Sequence, residues 1–120
     1  MIYKVYNGDK LISGRCRLFN MFFSKFRGLM FRKLSSGDSV LLKSKKEGVA
    51  MTAIHMFFVF YPIDVLWLDS KMKVVDKRRV YPFMPYAASR EPAKYVFEIK
   101  NAGTVLVGDR LRFTPVLPTL

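Results

Sequence analysis

His55, Asp64 and Glu98 are the residues of this chain best suited to acid-base chemistry, because each is an ionisable group set among apolar neighbours. His55 lies within Ile54-His55-Met56-Phe57-Phe58-Val59-Phe60-Tyr61, and Asp64 follows in Pro62-Ile63-Asp64-Val65-Leu66-Trp67-Leu68-Asp69. A carboxylate beside an imidazole can orient it for proton transfer or for a hydrogen bond to a ligand. Two carboxylates sharing one pocket, Asp64 and Glu98, could divide acid and base roles if proximity raised one of their pKa values. The structural alternative has the same residue requirements. A single histidine in an aromatic run is more often a core residue whose nitrogens bond the backbone. Asp64 serves equally well capping a turn or pairing with an arginine such as Arg27, and Glu98, between Phe97 and Ile99, points to solvent or to a basic partner across a sheet. No glycine-rich phosphate loop, nucleophile elbow, zinc helix motif or calcium loop accompanies these residues. Catalysis therefore has no positive motif, and no cofactor is implied. With one cysteine and one histidine, the chain has neither an internal disulfide nor a four-ligand zinc site built from those residue types.

Charge gives a second signal. The net charge is +12, and residues 10–46 hold ten basic residues against Asp38 alone. Lys25, Arg27, Arg32 and Lys33 alternate with Phe22, Phe23, Phe26 and Phe31, and Lys43, Lys45 and Lys46 follow. Cations interleaved with aromatics can combine phosphate contacts with base stacking, which suggests weak, sequence-nonspecific binding of nucleic acid or another polyanion. The phenylalanines also suit the buried face of a helix, with the cations as its solvated edge. Charge alone does not separate nucleic acid from anionic lipid or an acidic protein. A membrane-surface helix is the least favoured of these, because Gly28 interrupts the stretch and so small a domain needs its aromatics in the core.

The elements that must position these residues read as mainly β, because two-residue periodicity and turn signals recur along most of the chain. At 120 residues, 51% apolar and 15% aromatic, the whole of 1–120 suits one domain with a substantial core. Residues 3–6 and 11–19 predict a hairpin around Asn7-Gly8-Asp9. Simple alternation places Cys16, a buried and inert thiol, with Ile12, Gly14 and Leu18, and places Ser13, Arg15 and Arg17 on the other face. Leu18, Met21, Phe22, Phe26, Leu29 and Met30 predict one short helix near residues 20–33, with Asn20 able to cap it. Strands are expected over 39–43, 53–60 and 63–68, with Lys45-Lys46-Glu47-Gly48 as a turn. Residues 74–80 continue the pattern, and Lys77, Arg78 and Arg79 make a basic tip. An irregular, proline-rich surface segment covers 81–92, residues 93–99 resume extended structure, and Gly108-Asp109 precedes the last strands and a short tail at 114–120. The opening residues do not read as a signal peptide, and the longest uncharged stretch, 48–63, falls short of the roughly 20 residues of a spanning helix. The expected compartment is cytoplasmic, with no transmembrane segment.

Three ordered motifs carry a family resemblance: Arg27-Gly28-Leu29-Met30-Phe31-Arg32, then His55-Met56-Phe57-Phe58, then Pro62-Ile63-Asp64-Val65-Leu66-Trp67-Leu68-Asp69. Tyr95-Val96-Phe97-Glu98-Ile99, Ala102-Gly103-Thr104 and Gly108-Asp109 extend it, so that about residues 15–113 are covered. The chain resembles uncharacterised protein family UPF0127, also known as domain of unknown function DUF192, and the spelling around His55 is similar to an archaeal branch. Ser39-Val40 stands where many members have glycine followed by methionine, and Lys100-Asn101 where a proline often precedes the turn. The resemblance implies a small β-sandwich or barrel with one short helix, and it brings no reaction and no catalytic residues.

The favoured reading is a non-catalytic β domain that binds a small ligand or a protein partner. Its pocket would be lined by aromatics and the proline-rich segment, with Arg27, His55, Asp64 or Glu98 supplying orienting polar contacts. The alternatives are polyanion binding through Lys25, Arg27, Arg32, Lys33, Lys43, Lys45 and Lys46, and an acid-base enzyme using His55, Asp64 and Glu98.

Overall fold

The computed structural model describes residues 2–20, 35–48, 61–82 and 87–117. Among the described residues seven strands join in one sheet: β1 Ile2–Asn7, β2 Lys10–Asn20, β3 Asp38–Gly48, β4 Ile63–Leu68, β5 Val74–Val80, β6 Ala93–Ile99 and β7 Leu111–Pro115. Their spatial order is β5-β4-β6-β3-β2-β1-β7. Every neighbouring pair is antiparallel except β2 and β3, which run parallel and so require a crossover between Asn20 and Asp38. Asn20 ends β2 as a strand residue rather than capping a helix, and the rest of the expected helix, 21–33, lies outside the described residues. The expected strand over 53–60 lies there too. No helix occurs among the described residues, and none is therefore long and apolar enough to cross a membrane.

The sheet curls until its two edges meet at one end. Lys73 bridges Arg110, the Leu111 amide donates to the Met72 carbonyl at 3.0 Å, and Val74 exchanges 2.8 Å bonds with Asp109 and Gly108. Side-chain alternation then divides the apolar residues between two cores. Val5, Cys16, Leu41, Leu66, Leu68, Phe97 and Leu111 pack on the inner face, and Val40, Leu42, Ile63, Val65, Trp67 and Val96 on the outer. Strand β4 contributes to both, so it reads as an unbroken apolar run with one acid rather than as alternating polar and apolar residues.

Local chemistry accounts for the turns and for two departures from simple alternation. Gly8 joins β1 to β2 with φ of 61°, a left-handed conformation that glycine adopts without a Cβ clash. Tyr3 lies opposite Cys16 and Val5 opposite Ser13, so β2 holds one extra residue between them. This bulge at Gly14-Arg15 turns Ser13 onto the face of Cys16, correcting the alternation expected from sequence. There the Ser39 hydroxyl donates to that of Ser13 at 2.7 Å, and Ser13 donates to the Gly37 carbonyl at 2.7 Å. Burial pushes the Cys16 thiol up to about 11, with a bond to Ser39 acting the other way, so at neutral pH it is an unreactive thiol. The second departure is in β3, which continues through Lys45, Lys46 and Glu47 instead of turning there. An irregularity between Lys43 and Gly48 absorbs the mismatch, and Ser44 both accepts from the Lys46 amide and donates to its carbonyl.

The glycine-acid pair before β7 is also structural. The Asp109 carboxylate accepts from the Leu106 amide and from the Asn7 side chain, each at 2.9 Å, which ties the last loop to the β1–β2 turn. These two bonds, with a smaller contribution from the charge of Lys77, hold its pKa below the ordinary carboxylate value. A carboxyl depressed in the folded state contributes stability above its unfolded pKa, about 3.9, and loses it as the pH falls through the folded value. Asp109→Asn should therefore melt below the parent protein at neutral pH, with the gap closing on acidification below about pH 4. Melting curves across that range check this, and a gap independent of pH would show that the carboxylate charge is not its source.

Candidate functional site

Asp64 is the charged residue of β4, and it is 6% exposed. A buried carboxylate must be paired or hydrogen-bonded to remain ionised without a large penalty. Both requirements are met. Antiparallel pairing sets Asp64 opposite Arg79 on β5 and Ile99 on β6. Arg79 Nη1 donates to Asp64 Oδ1 at 2.8 Å and to the Lys100 carbonyl at 3.2 Å, and the Ala102 amide donates to Asp64 Oδ2 at 2.7 Å. One carboxylate thus ties β4, the end of β5 and the loop after β6 together. Arg79 belongs to strand β5 and not to a basic tip, and it is the arginine that Asp64 holds among the described residues.

In front of this pair lies a cleft of about 500 Å³ lined by Ile12, Ser36, Gly37, Tyr61, Pro62, Arg79, Ile99, Lys100 and Asn101. Arg79 keeps 45% of its side chain exposed, and the Lys100 ammonium stands 4.9 Å from the centroid of the Tyr61 ring. Among the described residues no carboxylate lines the cleft. Asn101 accepts from the Gly103 amide at 2.8 Å, and Ser13 pins Gly37 on the opposite wall. The wall cations are thus carried on strand ends and tight turns.

Glu98 is brought close in sequence register and kept apart in space. It is fully buried opposite Val65 and Val40, two members of the outer core, whereas Asp64 lies opposite Ile99 of the inner core. Asp64 and Glu98 therefore project from opposite faces of the sheet, an arrangement that gives no shared carboxylate pair. His55 and Arg27 lie outside the described residues. So do Lys25, Arg32 and Lys33, whereas Lys43, Lys45 and Lys46 are exposed on β3. Among the described residues no group of three His, Cys, Asp or Glu could hold a metal ion. The sequence marked Arg79 only as part of a basic tip and Lys100 only as a departure from the family pattern, neither as a site residue. Counting back along the hairpin from Asp69-Ser70-Lys71 brings Arg79 opposite Asp64, offset by the one-residue irregularity after Trp67, so the signal existed.

The three aspartates of the motifs now have assigned partners. Asp64 accepts from Ala102, Asp69 from the Lys71 and Lys73 amides at 2.8 and 3.0 Å, and Asp109 from Leu106. Residues 5–113 match the family profile DUF192, described as Uncharacterized ACR. The chain belongs to the UPF0127 (DUF192) family. A UPF0127 protein of Pyrococcus furiosus is 34% identical over 105 residues, covering 84% of this chain and 88% of that relative. One from Thermococcus kodakarensis is 33% identical over 106 residues, covering 85% and 66%, and one from Thermococcus sibiricus 36% over 89 residues, covering 74% and 56%. The chain thus spans between about half and two-thirds of the length of these Thermococcus relatives. Among solved structures, a Sinorhizobium meliloti protein described as a candidate transcription regulator superposes with a TM-score of 0.76 at 23% identity, covering 94% of each chain. A Novosphingobium aromaticivorans protein of unknown function superposes with 0.75 at 18%, covering 93% and 84%. The solved structures show the fold alone, and the UPF0127 relatives bring no reaction with them.

Removing the Asp64 carboxylate deletes an ion pair and leaves the buried Ala102 amide without its acceptor. Asp64→Ala should cost about 3 kcal/mol, from the loss of charge-assisted bonds and an unsatisfied donor. Arg79→Ala should cost roughly 1 kcal/mol, because the partner is half-exposed and water can replace it. Urea denaturation of both variants checks the order. A loss below about 0.5 kcal/mol for Asp64→Ala would remove its anchoring role.

Proposed function

We propose that this UPF0127 chain is a non-catalytic binding domain whose cleft takes a small ligand bearing a carboxylate or phosphate group. The observation that supports it is the charged wall: Arg79, steadied from behind by Asp64 and the Lys100 carbonyl, beside the Lys100 ammonium, with no acid in the lining among the described residues. A guanidinium held in place loses little freedom on meeting an anion, and its planar fork matches carboxylate and phosphate oxygens. Tyr61, Pro62, Ile12 and Ile99 add apolar surface, and a volume of about 500 Å³ falls in the usual range for small-molecule sites. Of the residues proposed from sequence, Asp64 acts here through Arg79 rather than by touching the ligand.

The acid-base reading is less well supported, because Asp64 and Glu98 occupy opposite faces. We place the domain in the cytoplasm, a reading supported by its single, buried, unpaired thiol.

Titration with inorganic phosphate, citrate and short dicarboxylates tests the cleft. A ligand at about a hundred times its Kd stabilises the fold by about 2.7 kcal/mol, a rise in melting temperature of roughly 10 °C in a domain of this size. Lys100→Met should abolish the rise and leave the unliganded melting temperature nearly unchanged, since Lys100 is exposed. No heat and no thermal shift with any of these anions at about ten millimolar, a level that a millimolar Kd would nearly saturate, would overturn the proposal.

A further inference from the structure

The outer face of the sheet is not uniform. Over β3, β6, β4 and β5 it is apolar and buried under the outer core. Over β1, β7 and β2 up to Arg17 it is solvent-facing and basic, whereas Phe19 near the end of β2 packs on the outer core. These three strands contain Lys4, Lys10, Arg15, Arg17 and Arg112, all exposed, and no aspartate or glutamate.

The register places the cations together. Tyr3, Val5, Leu111 and Phe113 belong to the inner core, so Ile2, Lys4, Tyr6, Arg112 and Thr114 turn outward. Lys4 lies opposite Thr114 and Tyr6 opposite Arg112, which puts Lys4 and Arg112 on a diagonal of about 7–8 Å. On the other side Ile2 lies opposite Arg17, and the bulge presents Arg15 near Lys4. Arg112 stacks over the Tyr6 ring, 4.5 Å from its centroid. The neighbouring acids are engaged or peripheral: Asp38 beside Arg15 accepts from the Ser35 hydroxyl, Asp109 accepts from Asn7, and Asp9 sits in the β1–β2 turn. Lys10 reaches the Thr104 hydroxyl at 3.3 Å and stands at the margin.

We infer that the exposed face of β2, β1 and β7 binds single-stranded nucleic acid, with Lys4, Arg15, Arg17 and Arg112 on phosphates and the Arg112–Tyr6 stack as a platform for a base. A shallow sheet surface that combines spaced cations with a guanidinium-aromatic stack suits unpaired bases, whose faces are open to it. It differs from the surface suggested by sequence, sharing with that segment only Arg15 and Arg17, and it does not depend on the cleft.

Binding of a fluorescent oligothymidylate, followed by anisotropy, tests it with the full chain. Four neutralised phosphates on a single strand predict a salt slope near −2.8, so affinity should fall about fiftyfold between about 50 and about 200 mM salt. Arg17→Glu with Arg112→Glu should weaken binding at least tenfold and reduce the slope by about 1.4. Both residues are exposed, and an unchanged melting temperature confirms that the fold persists. Lys43→Glu with Lys45→Glu and Lys46→Glu should leave binding close to the parent value. Loss of binding only in that second variant, or tighter binding to duplex of equal length, would overturn the assignment. So would vesicles rich in anionic lipid capturing the chain while the oligonucleotide does not, or no binding at tens of micromolar protein in low salt.

Discussion

Strand β4 is buried on both faces and carries a carboxylate, and much of the architecture answers that constraint. Burial on both faces needs two separate cores, one inside the curl and one outside it. The carboxylate needs compensation within hydrogen-bond reach, and Arg79 and the Ala102 amide supply it. Because Ala102 is in the loop after β6 and Arg79 near the end of β5, satisfying one buried charge also fixes the floor of a surface cleft. Packing and the geometry of the candidate site thus share a single ion pair.

The acids of the family motifs act mainly as acceptors for main-chain amides. Asp69 closes the β4–β5 turn, Asp64 holds the 100–103 loop and Asp109 holds the loop before β7. Short carboxylates suit this role, since they reach an amide in their own turn or across one strand with little side-chain entropy to lose. Such residues make the motif diagnostic of the fold, and they explain why membership in the family leaves its chemistry open.

Where local patterns dominate, the fold was legible in the sequence. The Asn7-Gly8-Asp9 turn marks the first hairpin, and residues 63–68, 74–80 and 93–99 coincide with β4, β5 and β6. Non-local effects were not legible. The bulge that brings Ser13 beside Ser39 depends on pairing with β1, and β3 runs past Ser44 because a distant strand receives it. The same reason hid the separation of Asp64 from Glu98: each looked like an acid in an apolar strand, and only the register between β4 and β6 assigns their faces. The cleft was legible only in part, since Asp64 stood out while Arg79 and Lys100 looked like ordinary surface cations. The basic character of β2 was visible, but its continuity with β1 and β7 was not, because Lys4 and Arg112 meet only through strand pairing.

The pairing of β1 with β7 sets Tyr3 opposite Pro115. During synthesis the outer edge of β1 emerges early and stays open until its partner leaves the ribosome, long after the β1–β2 hairpin can form. The parallel contact between β2 and β3 also awaits a crossover, so few of the sheet's later ladders close over short loops. Non-local pairing of this kind slows folding and lengthens the exposure of unpaired edges to other chains. Lys4 on that waiting edge, with Arg15 and Arg17 on the strand beside it, gives the nascent hairpin a like-charged surface that discourages two copies from zipping together. The same cations would then guard the chain before they meet any ligand.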